Sequence, residues 1–335
     1  MKQLKVGIVG LGHQTMEDHL PGIKDSQFAK LVSICDTNKE LVKKIGKEHN
    51  LKYYSNITQM LNSEELDFII VAIPHDQYLQ IIEKASKKGI SILKEKPFAR
   101  NLSEARHFLK LAKDNNIQIM TTLQRRFNPI YTTFFQLVDQ IGEPFFIDSK
   151  YSLFVNSPHE GWRGNKKEAG GGCIIDMGYH MIDMIIWYFG LPDKIYAESS
   201  SKAKPDENYD AEDTAAILFS YKSGLYGSLI LSRFYAPKTE YLRVVGSRGV
   251  VDIQRGVIKR YKENGELAES LTRERAWSSA STNQIDYFCR VLRGERENIG
   301  NPKYHLQHVS FVEACCKSIK EGKYVNPKEL IKNGK

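Results

Sequence analysis

The sequence predicts an α/β protein in two parts. Residues 1–122 read as a doubly wound parallel sheet, and residues 123–335 as an α+β domain with a mostly antiparallel sheet. Three observations lead there. Short apolar runs alternate with amphipathic stretches through the first third of the chain. A glycine turn follows the first apolar run, and an acidic residue closes the second. Beyond about residue 123, strand-like runs succeed one another without intervening helices. A length of 335 residues is ordinary for about two domains.

In chain order, Lys5–Val9 is a short β-branched run that ends in glycines, and Met16–Lys24 begins a helix that Pro21 weakens. Ala29–Ile34 is the second strand and Lys39–His49 a polar helix. Phe68–Ile73 (FIIVAI) is apolar throughout, as expected of a strand buried on both faces. Gln77–Lys88 is helical and stops at Gly89; Ile90–Leu93 is a fourth strand, Leu102–Asn115 a helix and Ile117–Thr121 a fifth strand. In the second part, Phe145–Phe154 is strand-like and Gly172–Phe189 reads as one long helix. Strands follow at Lys194–Ser200, Thr214–Tyr221, Leu225–Arg233, Tyr241–Val245 and Val250–Gln254, several joined by glycine turns. Helical patterns return at Asn283–Arg293 and His305–Lys320.

Gly10-Leu11-Gly12 directly after the first strand has the chemistry of a phosphate-binding turn. The first glycine permits the tight turn, the second admits a pyrophosphate to the backbone, and the following helix adds positive potential. The third position of the G-x-G-x-x-G fingerprint is Thr15, so the pattern is incomplete. Asp36 stands where a ribose-binding carboxylate is expected, followed by Thr37 and Asn38 rather than an arginine. That favours NAD over NADP, whose 2′-phosphate a carboxylate repels. As a purely structural residue, Asp36 would cap the next helix.

Two further features carry chemistry. Glu95-Lys96-Pro97 follows the fourth strand, at the sheet end where such folds place ligands, and an ammonium there can stabilise charge on a substrate oxygen. Gly170-Gly171-Gly172 precedes an apolar stretch in which Asp176, His180 and Asp183 are spaced i, i+4 and i+7, one face of a helix. Histidine suits a proton acceptor near neutral pH, with Asp176 one turn away to orient it or a substrate hydroxyl. The alternative is a core histidine bonded to a core carboxylate.

These residues together resemble the Gfo/Idh/MocA family of nicotinamide-dependent oxidoreductases. The motifs run in family order over nearly the whole chain: GIVGLG at Gly7–Gly12, Asp36, VAIP at Val71–Pro74, EKP at Glu95–Pro97, and QRRFNP at Gln124–Pro129. They continue with WR at Trp162–Arg163, AGGG-x3-D-x3-H-x2-D from Ala169 to Asp183, and GSRG at Gly246–Gly249. The resemblance implies an N-terminal Rossmann domain and a C-terminal domain with a large open sheet that makes homodimer or homotetramer contacts. It implies hydride transfer between NAD and a ring hydroxyl or ketone of a sugar, sugar derivative or cyclic polyol. The catalytic set it implies is Lys96, Asp176 and His180. The cofactor set is Gly10, Leu11, Gly12, His13, Gln14, Asp36, Ile73, Pro74, His75, Tyr78, Glu95, Lys96, Gln124, Trp162 and Arg163, with Arg126 and Asp183 toward substrate. Two departures stand out: relatives carry Gly or Ala at the place of Thr15 and a histidine one residue before His19, and a histidine where this chain has Tyr78. A nucleotide-sensing regulator on the same fold is the alternative function; it would not need Lys96, Asp176 and His180 together.

Composition removes other classes. Lys plus Arg is 48 against 40 Asp plus Glu, a net charge of +8 spread along the chain. No helix-turn-helix, zinc or aromatic-interleaved basic motif accompanies it, so no nucleic-acid partner is expected. The longest apolar stretch, Ile174 to Leu191, holds Asp176, His180 and Asp183, so no membrane helix and no membrane partner is expected. The five cysteines, Cys35, Cys173, Cys289, Cys315 and Cys316, form neither an even set nor a CxxC pair. That predicts no disulfide framework, no metal site and a cytoplasmic location.

Overall fold

The structure is a computed structural model that describes residues 2–273 and 276–332. Its strands, among the described residues, form two sheets. The chain divides into two compact units. One comprises the residues up to Phe98, Glu104–Phe127 and Trp277–His305; the other comprises Ala99–Ser103, Asn128–Ala276 and the residues from Leu306 on.

The first unit holds a six-stranded parallel sheet. Its strands are β1 (Leu4–Val9), β2 (Ala29–Cys35), β3 (Lys52–Tyr54), β4 (Phe68–Val71), β5 (Ser91–Lys94) and β6 (Ile119–Thr121), in the order β3-β2-β1-β4-β5-β6. Strand order reverses between β1 and β4, where Val6–Val9 lie beside Phe68–Val71 in parallel register. A topological switch point of this kind opens a crevice beyond the carboxyl ends of the strands. β1 and β4 are apolar because helices cover both faces: Val6, Ile8, Phe68, Ile69, Ile70 and Val71 are all fully buried. Burial of each such side chain contributes about 1.5–3 kcal/mol. The core is completed from far along the chain, by Ile285, Phe288 and Cys289 of the helix Ala276–Leu292. β3 and the helix Ile57–Ser63 carry no strong apolar signal; β3 is a largely exposed edge strand that pairs only with β2.

The second unit is built on an eight-stranded sheet of β7 (Pro144–Phe154), β8 (Lys194–Ser200), β9 (Thr214–Ser220), β10 (Tyr226–Ser232), β11 (Phe234–Gly246), β12 (Gly249–Gln254), β13 (Val257–Lys262) and β14 (Leu267–Thr272). The order is β14-β13-β12-β11-β7-β10-β9-β8, antiparallel except that β7 and β10 run parallel. β13 and β14 escape the sequence pattern because both are half-solvated, β13 being rich in charge (VIKRYK) and β14 largely exposed (LAESLT). One face of the sheet is lined by buried residues such as Ile147, Ile217, Leu229 and Leu242. The helix Gly178–Phe189 packs close to it: a Cβ on Gly178 would come within 2.6 Å of Leu231 Cδ1. The opposite face is open, with Tyr226 52% and Leu218 50% exposed.

The expected helix from Gly172 begins only at Gly178, since residues 173–177 form turns. Asp176 therefore sits ahead of the helix rather than on it, while His180 and Asp183 lie within it. All five cysteines are free. Among the described residues, no helix is long and apolar enough to cross a membrane.

Candidate active site

In the first unit, the turn after β1 is built on Gly10. Its φ of +91° lies in glycine's territory, and a Cβ there would meet the Ala72 carbonyl oxygen at 2.1 Å. Gly12 is the opposite case: a Cβ there would have nothing within 4 Å. Gly12 and His13 are exposed and Gln14 is half-buried, so a pyrophosphate can lie directly against this backbone. The open cradle at Gly12 fits a dinucleotide.

Asp36 closes the loop from the side. One carboxylate oxygen accepts the Leu11 N–H at 2.7 Å and the other the Asn38 N–H at 2.8 Å. The acid thus holds the glycine turn against the end of β2. Capping of the next helix falls to Asn38, whose side chain accepts from Leu41 N–H at 3.1 Å.

Thr15, the departure from the fingerprint, is fully buried and donates its hydroxyl to the Gly10 carbonyl at 2.7 Å. Its satisfied hydroxyl replaces the missing glycine. The helix then opens with a π turn over Thr15–His19 before the α-helix Leu20–Asp25. A π turn takes in one residue more than an α turn. His19 is thereby carried back to the place that a regular helix gives to residue 18.

His19 is fully buried, and its Nε2 lies 2.9 Å from Glu95 Oε1. Burial pushes the Glu95 carboxyl up, but the His19 hydrogen bond and charge, Lys96 and Thr122 outweigh it, leaving the group below its usual value. Glu95 Oε2 in turn accepts the Lys96 N–H at 3.2 Å, and Thr122 Oγ1 takes the same N–H at 3.3 Å. The glycine-loop helix and the Lys96 turn are thus tied through one carboxylate. Beneath the turn, Lys94 is fully buried. Its ammonium donates to the carbonyls of Glu95 (2.7 Å) and Pro97 (2.5 Å), the two residues flanking Lys96. Burial lowers its pKa to about 7. The Lys96–Pro97 peptide bond is cis. Lys96 itself is half-buried.

The remaining first-unit residues divide. Ile73 and Pro74 are half-buried after β4, with Ile73 against the Gly10 turn. Gln124 and Gln14 both donate their side-chain amides to Asp18 Oδ2, the former at 2.9 Å. Tyr78 is only 2% exposed and lies under the Lys94 ammonium, 3.7 Å from its ring centroid, so the structure places it in the core of the first unit. His75, 3% exposed, stacks on Tyr78 with centroids 6.1 Å apart. Arg126 is 8% exposed, its guanidinium lies 4.5 Å from the Tyr304 ring centroid, and it donates to the Ile299 carbonyl at 3.2 Å.

In the second unit, the three glycines let another chain segment approach, and that segment is Glu212: a Cβ on Gly172 would meet its carbonyl oxygen at 2.0 Å. Cys173 N–H donates to the same carbonyl at 2.7 Å, which anchors the turns carrying Asp176. Asp176 Oδ2 lies 3.4 Å from both Arg163 Nε and Arg233 Nη2. Arg163 is exposed and stacks on Trp162, its Cζ 4.4 Å from the ring centroid. Arg233 is buried and also donates to the Arg163 carbonyl at 3.1 Å. Sequence reasoning missed Arg233; its only signal is a charge closing an otherwise apolar strand. His180 is half-buried, one turn beyond Asp176. Asp183 is 2% exposed and lies 2.8 Å from His308 Nε2, so the structure places it in the core of the second unit. Among the described residues, no group of three or more His, Cys, Asp or Glu could hold a metal.

Two family models match the chain. Residues 4–123 match the oxidoreductase family with an NAD-binding Rossmann fold, and residues 134–252 match the GFO/IDH/MocA C-terminal domain. D-apiose dehydrogenase of Paraburkholderia graminis is 24% identical over 98% of this chain and 91% of its own length. Trans-1,2-dihydrobenzene-1,2-diol dehydrogenase of Xenopus laevis is 23% identical over 67% of both chains. Among solved structures, levoglucosan dehydrogenase in complex with NADH and levoglucosan superposes with a TM-score of 0.86 at 18% identity, covering 97% of this chain and 99% of that one. Aldose-aldose oxidoreductase from Caulobacter crescentus gives 0.86 at 20% identity, covering 97% and 100%. These two likenesses concern the fold.

Proposed function

The chain belongs to the GFO/IDH/MocA family of NAD(P)-dependent oxidoreductases, and from that premise we propose that it transfers a hydride between NAD and a ring hydroxyl or ketone of a sugar, sugar derivative or cyclic polyol. The observation that carries the reading is the open backbone at Gly12 beside a turn braced by the Asp36 carboxylate. Gly10, Leu11, Gly12, His13 and Gln14 hold the pyrophosphate, Ile73 and Pro74 flank it, and Asp36 faces the adenosine ribose. A carboxylate at that place disfavours a 2′-phosphate, so NAD is preferred to NADP. When bound, the nicotinamide ring supplies a hydride acceptor or donor.

The chain's own residues manage the oxygen and its proton. Lys96 donates a hydrogen bond to the reacting oxygen and stabilises negative charge on it. His180 takes the hydroxyl proton in oxidation and returns it in reduction. Asp176, shared between Arg163 and Arg233, orients His180 and a substrate hydroxyl. D-apiose and levoglucosan, named for a relative and a structural neighbour, support a sugar or anhydrosugar class. The open sheet face, with Tyr226 and Leu218 half-exposed, supports assembly into a homodimer or homotetramer.

The experiment is a nicotinamide-absorbance assay with NAD⁺ or NADP⁺ against cyclic polyols, free sugars, sugar phosphates and nucleotide sugars, run beside Lys96→Met. Turnover by the wild type, lost in Lys96→Met while NADH still binds, is the expected outcome. NADH binding without turnover of any panel member would instead favour a nucleotide sensor.

A further inference from the structure

Asp18 lies on the π turn of the first unit, and the dinucleotide chemistry of the glycine loop gives no reason for a carboxylate there. It stands four residues past Gln14, at the helix start where the loop receives an anion, so its charge opposes that of a pyrophosphate. Its surroundings account for it. Its Oδ2 accepts the side-chain amide Nε2 of Gln14 and, at 2.9 Å, that of Gln124. A carboxylate only accepts hydrogen bonds, so both amides must turn their nitrogen toward it. Each nitrogen keeps one further N–H, and the acceptor each glutamine has left to offer is its carbonyl oxygen, Oε1.

The place of these two oxygens in the sheet indicates what they meet. Asp36 ends β2, on one side of β1, whereas Gln124 follows β6, three strands away on the other side. A dinucleotide laid across the carboxyl ends of the strands with its adenosine ribose at Asp36 brings its other riboside toward β4, β5 and β6. That half offers donors: two ribose hydroxyls and a carboxamide N–H₂.

We propose that Asp18 is a positioning residue that fixes the side-chain amides of Gln14 and Gln124 so that their carbonyl oxygens accept hydrogen bonds from the nicotinamide riboside half of the bound dinucleotide. The proposal rests on the dinucleotide reading given above. It goes beyond it by assigning a selective role to a residue outside the glycine fingerprint.

The test compares NADH with ADP, which keeps the adenosine diphosphate part and lacks the whole nicotinamide riboside. NADH and ADP affinities are measured by titration calorimetry on the wild-type protein, Asp18→Ala and Asp18→Asn. Removing the carboxylate charge relieves repulsion of the pyrophosphate for both ligands, so the informative quantity is the ratio of the two affinities. In Asp18→Ala the preference for NADH over ADP is expected to fall about tenfold, the worth of one to two hydrogen bonds. Asp18→Asn keeps the shape and can still hold one amide in place, so an intermediate fall is expected. The Asp18 backbone carbonyl stays anchored by Ser281 Oγ at 2.9 Å in either variant. If Asp18→Ala does not fold, the isosteric variant alone decides. A ratio that stays at the wild-type value, whether both affinities drop together or neither moves, would show a purely structural carboxylate and overturn the proposal. A wild-type protein that binds neither ligand would overturn the dinucleotide reading itself, and the proposal with it.

Discussion

Gly10 and Gly12, two positions apart, have opposite surroundings, and replacing each by alanine separates folding from binding. At Gly10 the new methyl suffers twice. A φ of +91° costs an L-residue about 1–2 kcal/mol, and a Cβ 2.1 Å from the Ala72 backbone oxygen forces β1 and β4 apart at about 1–3 kcal/mol more. A total near 3 kcal/mol lowers the melting temperature of a unit of about 150 residues by about 6–12 °C. At Gly12 the methyl meets nothing within 4 Å, so Gly12→Ala is expected to melt within about 2 °C of wild type. The same methyl occupies the space a pyrophosphate needs, and NADH affinity is expected to fall more than tenfold. Differential scanning calorimetry and NADH fluorescence titration on both variants give all four values. A Gly10→Ala protein as stable as wild type would refute the packing argument. A Gly12→Ala protein that binds NADH normally would refute the placement of the pyrophosphate.

Two further substitutions address charges inside the cores. Lys94 has its folded pKa lowered by burial to about 7, so between pH 7 and about 10.5 the unfolded chain holds a proton that the folded chain does not. Stability of the first unit should therefore rise across that window, and Lys94→Met should flatten the rise in urea midpoints between pH 7 and 9; an identical pH slope in both proteins would refute it. Asp183→Ala leaves His308 buried without its carboxylate and should destabilise the second unit by about 3–5 kcal/mol while NADH affinity stays unchanged. A loss of NADH affinity would return Asp183 to the site.

The sheet of the first unit was legible because its central strands are buried on both faces, which writes β4 as an unbroken apolar run and the last four residues of β1 as VGIV. Edge strands carry no such mark: β3 (KYY) and β14 (LAESLT) are half-solvated, and their pairing is decided by neighbours distant in sequence. The spacing of Asp176, His180 and Asp183 suggested one polar face. Periodicity could not reveal that the helix starts at Gly178, nor that His308, 125 residues further on, satisfies Asp183. Arg126 and Tyr78 were named from motif position, which is blind to burial. Thr15 looked like a defect in the glycine pattern until its hydroxyl found the Gly10 carbonyl. Composition alone cannot distinguish a π turn from an α turn, so the role of Asp18 was not visible either.

The helix that closes the first core comes late. Phe288 stacks edge-on against Phe68 with ring centroids 5.2 Å apart, and Gln284 accepts the Leu123 N–H at 2.7 Å. On the ribosome, all six parallel strands emerge about 160 residues before that helix is made. At about 5–20 residues per second the delay is about 8–30 s. Through that interval the nascent sheet carries an uncovered apolar face beside Phe68, a substrate for chaperones and a nucleus for aggregation. A chain released after Phe127 would keep this immature surface permanently and bind hydrophobic dyes that the full-length protein does not.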